Sequence, residues 1–221
     1  MSSWRNRLRK RAKMESGMMK SPLESLRQSL PDYARDVKLN LGTLLGVDGA
    51  PELSESQKWG VAVASSLASR SHALTHAIEH DALLLIDEAT IEAARAAAAI
   101  MAMTNVYYRA VHMADDPELA QLPAGLRMNG LARHGIDQAD FELFGLAASV
   151  VKGCEGCTKA HFAGARKHGA STQAVQAAIR IAAVIHSAAT VLDATADPIL
   201  SVPLPLLTEV APEQAIAGDV N

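Results

Sequence analysis

The sequence predicts an all-α protein built around one core, and three features carry that expectation. Hydrophobic residues make up 49% of the 221 residues while aromatics are only 4%, and alanine supplies much of the apolar share. Alanine is the best helix former, and its small side chain lets helix axes approach one another. Serine and aspartate caps recur ahead of apolar-periodic stretches, as helix starts require. The strand-favouring residues never fall into alternating runs bounded by turns, so a sheet finds no support. A chain of this length can bury one sizeable core, or two small ones sharing it.

Taken in order, residues 1–20 read as a mobile basic tail, with Arg5, Arg7, Arg9, Lys10, Arg11, Lys13 and Lys20 against the single acid Glu15. Such charge blocks are usually solvated. The folded body, expected over 21–197, opens at Ser21-Pro22-Leu23-Glu24, a capping box with serine at the N-cap and proline at the first helical position. Pro31 ends or bends that helix, and a second apolar period runs from Tyr33 to Leu45. Gly46, Asp48, Gly49 and Pro51 form a loop. Ser54-Glu55-Ser56-Gln57 is a second capping box, predicting a helix to about Arg70, followed by helices over 71–85 and, capped by Asp87, over 90–113. Residues 115–137 read as a loop with short helical turns. Helices follow at 138–151, 154–168 and 172–194, and 198–221 is a proline-containing tail. An internal repeat with an offset of 85 aligns Trp59-Gly60 with Phe144-Gly145, His72 with Cys157, His76 with His161 and Arg95 with Arg180. It describes a duplicated helical unit in which only the second copy carries thiols.

Charge and cysteine usage narrow the function classes. Residues 21–221 hold 14 basic and 23 acidic side chains, a net of −9, which gives no support to nucleic-acid binding. The basic start is not followed by an apolar segment, so no secretory signal is expected. Arg95, Arg180 and His186 interrupt the most apolar stretches, so no membrane span is expected. A cytoplasmic protein is the resulting expectation. The two cysteines sit in one CxxC, which in that compartment points to redox or metal chemistry rather than stapling.

The chemistry centres on Gly153-Cys154-Glu155-Gly156-Cys157-Thr158-Lys159-Ala160-His161. Gly153 breaks the preceding helix, and cysteines at i and i+3 fall on one side of the next helix's first turn, close enough to join. Free amide N–H groups and the helix dipole favour thiolate there, and thiol pKa values at such positions can fall to roughly 3.5–7.5. His161 lies one turn beyond Cys157 on the same face, where imidazole can take the thiol proton or imidazolium can stabilise the thiolate. Glu142, among Phe141, Leu143, Phe144, Leu146 and Ala147, needs a partner once buried, and His161 is the natural one. The three make a Glu–His–Cys relay. Zinc would find three ligands in Cys154, Cys157 and His161 but no evident fourth, since His168 lies at the far end of the helix. His72, His76 and His80 form a row that reads as a polar helix face. Arg109, Arg127 and Asn129 read as structural partners, and Trp59, Tyr107 and Tyr108 as packing.

At Glu142–x11–Cys154–x2–Cys157–x3–His161 the sequence resembles the AhpD family of alkylhydroperoxidases, within the carboxymuconolactone decarboxylase-like superfamily. The likeness extends over Leu30–Leu41, Ala99–Arg109, Gly125–Asn129 and Asp140–Leu143, covering about Leu23 to Ala194. It implies an AhpD-like helical subunit with a degenerate internal duplication, assembled as a homotrimer and holding no bound cofactor. It also implies reduction of alkyl hydroperoxides with electrons from dihydrolipoamide or a lipoyl-bearing protein, and reduction of the peroxiredoxin AhpC. By position, Cys157 would be oxidised to sulfenic acid. Cys154 would supply the proton and then resolve the sulfenate as a Cys154–Cys157 disulfide. Glu142 and His161 would relay protons. The chain departs from the family at Gly156, where well-known members carry a histidine, so thiolate activation would rest on His161 alone.

Other readings compete with this one. A protein dithiol–disulfide reductase would turn over little peroxide, and a helical redox sensor would use the CxxC to switch a surface. A lactone decarboxylase has no need of a CxxC. A thioredoxin-like fold is disfavoured because no βαβ pattern surrounds the motif.

Overall fold

The computed structural model describes residues 20–195. The expectations for the basic N-terminal tail, apart from Lys20, and for the proline-containing C-terminal tail fall outside this range. Among the described residues there are nine α-helices and no strand. They are α1 (Pro22–Ser29), α2 (Arg35–Leu45), α3 (Glu55–Ser69), α4 (His72–Leu85), α5 (Glu88–Ala114), α6 (Pro117–Gln121), α7 (Gln138–Lys152), α8 (Glu155–Lys167) and α9 (Thr172–Thr195). Short 3-10 turns sit at Asp32–Ala34 and Asn129–Leu131.

The caps place the helix starts. Ser54 Oγ accepts the Gln57 N–H, and the Gln57 side chain accepts the Ser54 N–H, so the box at α3 closes in both directions. Asp87 caps α5 through the Thr90 N–H at 2.7 Å. At α1 only half of the expected box forms. Ser21 Oγ accepts the Glu24 N–H, but the Glu24 carboxylate turns instead to Arg27, at 2.7 Å from both Nε and an Nη. A guanidinium fork outcompetes one backbone N–H for a carboxylate.

At the centre α3 and α7 pack against each other and each against both α5 and α9, with α4 laid on α3 and α8 on α7. Alanines make this close approach workable: Ala94, Ala97, Ala177, Ala178 and Ala182 are fully buried. At Gly60 of α3 an added Cβ would stand 2.1 Å from the Phe144 ring of α7, so that crossing tolerates only glycine. The order α3-α4-α5 recurs as α7-α8-α9, with helix starts offset by 83, 83 and 84 residues rather than the expected 85, and helices of 15, 14 and 27 residues matched by 15, 13 and 24. Contrary to the sequence expectation, α9 is long and apolar enough to cross a membrane by length and composition. Arg180 and His186 do not break its apolar character as expected. Half of its most apolar window is buried inside the fold, as befits a core helix.

Candidate active site

The CxxC lies where α7 stops and α8 begins. Gly153 terminates α7 in the left-handed region, φ 64°, a conformation that costs glycine little. Its N–H returns to the Ser149 and Val150 carbonyls, and the Cys154 N–H bonds Ser149 O. Arg109, from α5, donates to Lys152 O at 2.6 Å and so pins the same corner. Cys154 is the N-cap of α8 rather than its first residue, and its sulfur accepts the Cys157 N–H at 3.4 Å.

Both cysteines are free and buried, with their sulfurs 2.6 Å apart in a shared hydrogen bond. Cys157 Sγ also stands 4.0 Å from Thr104 O on α5. The expected low thiol pKa is overturned at Cys157. Burial, the hydrogen bond with Cys154 and the nearby Cys154 charge push it up to about 12. Desolvation penalises the thiolate more than the helix terminus favours it.

Glu142 and His161 meet as the sequence reading expects, Oε2 to Nδ1 at 2.7 Å, with side chains only 17% and 13% exposed. Burial raises the Glu142 carboxyl, but hydrogen bonds from His161 and Gln138, with the charges of His161 and His168, hold it below the usual carboxylate range. Two glycines make room for the pair in a reciprocal pattern. A Cβ on Gly145 of α7 would lie 2.7 Å from the His161 ring, and one on Gly164 of α8 would lie 2.5 Å from Glu142 Oε2. Each large polar group thus fits opposite a glycine three residues from its partner along the facing helix.

The other face of His161 differs from the expected relay. Its Nε2 points at the thioether of Met101, Sδ at 3.0 Å, and the Ser149 and Thr104 hydroxyls address the same sulfur at 3.4 and 3.7 Å. The Nε2 edge of the ring thus faces the Met101 sulfur, beside the space that reaches Cys157.

That space is a cavity of about 750 Å³ between α5, α6, the 129–131 turn and α8. Its walls include Met101, Val111, Ala120, Met128 and Leu131, with Tyr108 at the side, and it reaches Cys157 and His161. Cys157 lines it; Cys154 stands behind. Gly156 also lines it, and a Cβ there would meet nothing within 4 Å, so no backbone or packing demand excludes a side chain. Among the described residues, no group of three or more His, Cys, Asp and Glu side chains is placed to hold a metal ion.

Of the remaining sequence candidates, the α4 histidines and Trp59 are not part of this centre. His72 and His76 lie close on the exposed face of α4, ring centroids 4.4 Å apart. Trp59 is buried and donates to Glu55. Tyr108, expected as packing, borders the cavity. Sequence reasoning missed Met101 and Thr104, whose roles follow from the α5–α8 packing. It also missed Gln138, which donates to Glu142 Oε1 at 2.9 Å and whose i, i+4 spacing from Glu142 was the available signal.

Comparison with known proteins identifies the family. The family described as "Carboxymuconolactone decarboxylase family" matches residues 117–196. Proteins named alkyl hydroperoxide reductase AhpD are similar over most of the chain. That of Rhodospirillum centenum is 47% identical over 174 residues, 79% of this chain and 92% of its own. That of Solibacter usitatus is 45% identical over 177 residues, 80% of this chain and 98% of its own. That of Coxiella burnetii is 47% identical over 169 residues, 76% and 96% respectively. On identity and coverage of this order, the chain belongs to the AhpD family of alkyl hydroperoxide reductases.

Proposed function

We propose that this protein is an antioxidant thiol peroxidase that reduces alkyl hydroperoxides through Cys154 and Cys157 and is recharged by a dihydrolipoyl group. One observation carries the reading: a largely apolar cavity reaches Cys157 and His161, with Cys154 directly behind at 2.6 Å between sulfurs. Cavities of several hundred Å³ suit small ligands, and apolar walls suit an alkyl chain. The names of the relatives support the same substrate class.

In this mechanism the Cys157 thiolate attacks the terminal peroxide oxygen, the O–O bond breaks, and Cys157 is oxidised by two electrons to sulfenic acid. The departing alkoxide takes a proton from a donor beside Cys157, the Cys154 thiol or the Nε2–H of His161. The proton that Cys157 gave up restores that donor. Cys154 then attacks the sulfenic sulfur, water leaves, and the disulfide forms. A dihydrolipoyl dithiol reopens it in two exchange steps and becomes the cyclic disulfide. Overall, dithiol and hydroperoxide give disulfide, alcohol and water. No cofactor is held; the lipoyl-bearing protein is a partner, the peroxiredoxin AhpC is a second acceptor of electrons, and the subunits form a homotrimer. A buried Cys157 at the end of a cavity favours this reading over a general protein-disulfide reductase, whose thiol must meet a bulky substrate.

The test is hydroperoxide consumption by the purified protein with dihydrolipoamide, beside Cys154→Ser and Cys157→Ser. Each variant is expected to abolish turnover, and Cys154→Ser is expected to accumulate a trappable sulfenate on Cys157. Peroxide turnover that survives Cys157→Ser overturns the proposal.

A further inference from the structure

A chain of hydrogen bonds runs into Glu142 from the side opposite His161. His134 Nε2 lies 2.8 Å from Gln138 Oε1, and Gln138 Nε2 lies 2.9 Å from Glu142 Oε1. The Ile136 N–H addresses His134 Nδ1 at 3.4 Å, and the imidazole stacks on Phe141, centroids 4.2 Å apart at 15°. Every proton in this chain is assigned by elimination. A carboxylate only accepts, so the Gln138 amide must turn its NH2 to Glu142 and its oxygen to His134. His134 must then carry its proton on Nε2, which leaves Nδ1 free to accept from Ile136. All donors point one way, from the turn ahead of α7 toward the carboxylate.

We propose that His134 and Gln138 are positioning residues for the Glu142–His161 pair: they clamp the second carboxylate oxygen, keep Glu142 ionised, and so fix the His161 ring beside the cavity. Without the clamp, Glu142 Oε1 is a half-buried acceptor with nothing to accept from, and the carboxylate is free to turn away from Nδ1. From the packed elements, the charged groups acting on Glu142 are His161 and His168, both on or capping α8. The neighbouring acid of α7, Asp140, is engaged elsewhere, accepting from Gln57 of α3 at 2.7 Å. The clamp is thus the one neutral contribution, and it is separable by mutation. A role in catalysis rests on the peroxidase reading above; the clamp itself does not.

The test therefore has a readout that needs no turnover. In protein with labelled glutamate side chains, the Glu142 carboxyl is followed by carbon NMR through an acid titration. Gln138→Met, which keeps the side-chain length and removes the amide, is expected to raise its midpoint by about one unit, the size of one lost hydrogen bond to a charged group. His134→Phe keeps a ring on Phe141 and removes both the Nε2–H to Gln138 and the Nδ1 acceptor of the Ile136 N–H, and is expected to raise it by less. It also serves if the methionine variant folds poorly. In both variants the acid limb of the kcat/KM profile for hydroperoxide should move up in step. A Glu142 midpoint unchanged in both variants overturns the inference, even if peroxidase activity is established. If wild-type protein consumes no hydroperoxide but the midpoints move, the clamp stands and the peroxidase reading fails.

Discussion

At the scale of single residues, the structure trades the expected activated thiol for a protected one. Cys157 has a pKa pushed up to about 12 from an ordinary value of 9.0, so the folded protein holds its proton where the unfolded chain has lost it. The native state then binds more protons than the unfolded state between those values. The stability this gives is full below pH 9 and is lost as pH rises toward 12. Urea unfolding of the reduced protein at about pH 8 and pH 10.5 should show a steeper loss in wild type than in Cys157→Ser, although lysines titrate in both. An equal loss in the two proteins would remove burial as the cause. The same thiol shows how far the site could be read from the sequence. Spacing alone brought Cys154, Cys157 and His161 together, because i, i+3 and i, i+4 offsets are fixed by helix geometry, and Glu142 joined them as a carboxylate in an apolar stretch that needs a partner once buried. It could not show that His161 Nε2 faces Met101, since that depends on the depth at which α5 passes α8.

At the scale of elements, the α7–α8 hairpin is held open for its polar pair by glycine, not by length or charge. A Gly145→Ala or Gly164→Ala change drives a methyl group to 2.7 Å from the His161 ring or 2.5 Å from Glu142 Oε2. Overpacking of this kind costs typically 1–3 kcal/mol, and displacement of a catalytic group by about 1 Å can cost 100-fold in rate. Both variants should therefore melt lower and lose peroxidase activity by at least tenfold, while both thiols still react with a maleimide in unfolded protein. Activity within twofold of wild type would show that His161 placement does not matter. Helix starts were legible to within two residues where a side-chain cap precedes a helix of two turns or more, as at Ser21, Ser54 and Asp87. The 115–137 segment was legible only as a connection. Its Pro117, Ala120, Met128 and Leu131 become a cavity wall because α6 and the 129–131 turn fold back over α5, a long-range fact that local turn chemistry does not encode.

At the scale of the whole molecule, the proposed trimer needs a face, and α5 offers one. Met103, Val106 and Met113 are 36%, 55% and 75% exposed, and the exposed Ala102 and Ala110 lie on the same helix beside them. Spacings of three, four and seven residues place these side chains on one stripe. A longest helix with one face in the core and an apolar stripe outside is the pattern of a subunit surface covered by a neighbour. The stripe adjoins the cavity, which takes Thr104, Tyr108 and Val111 from the same helix, so assembly would also shelter the approach to Cys157. Light scattering on the purified protein should give about three times the 23.4 kDa subunit mass. Val106→Glu places a charge in the middle of the stripe and should shift the protein to monomer, since an unpaired buried charge costs far more than one contact returns. A trimer unaffected by Val106→Glu would place the interface on another face. A monomeric wild-type protein would leave the stripe as open surface and the subunit as the complete unit of any peroxidase activity.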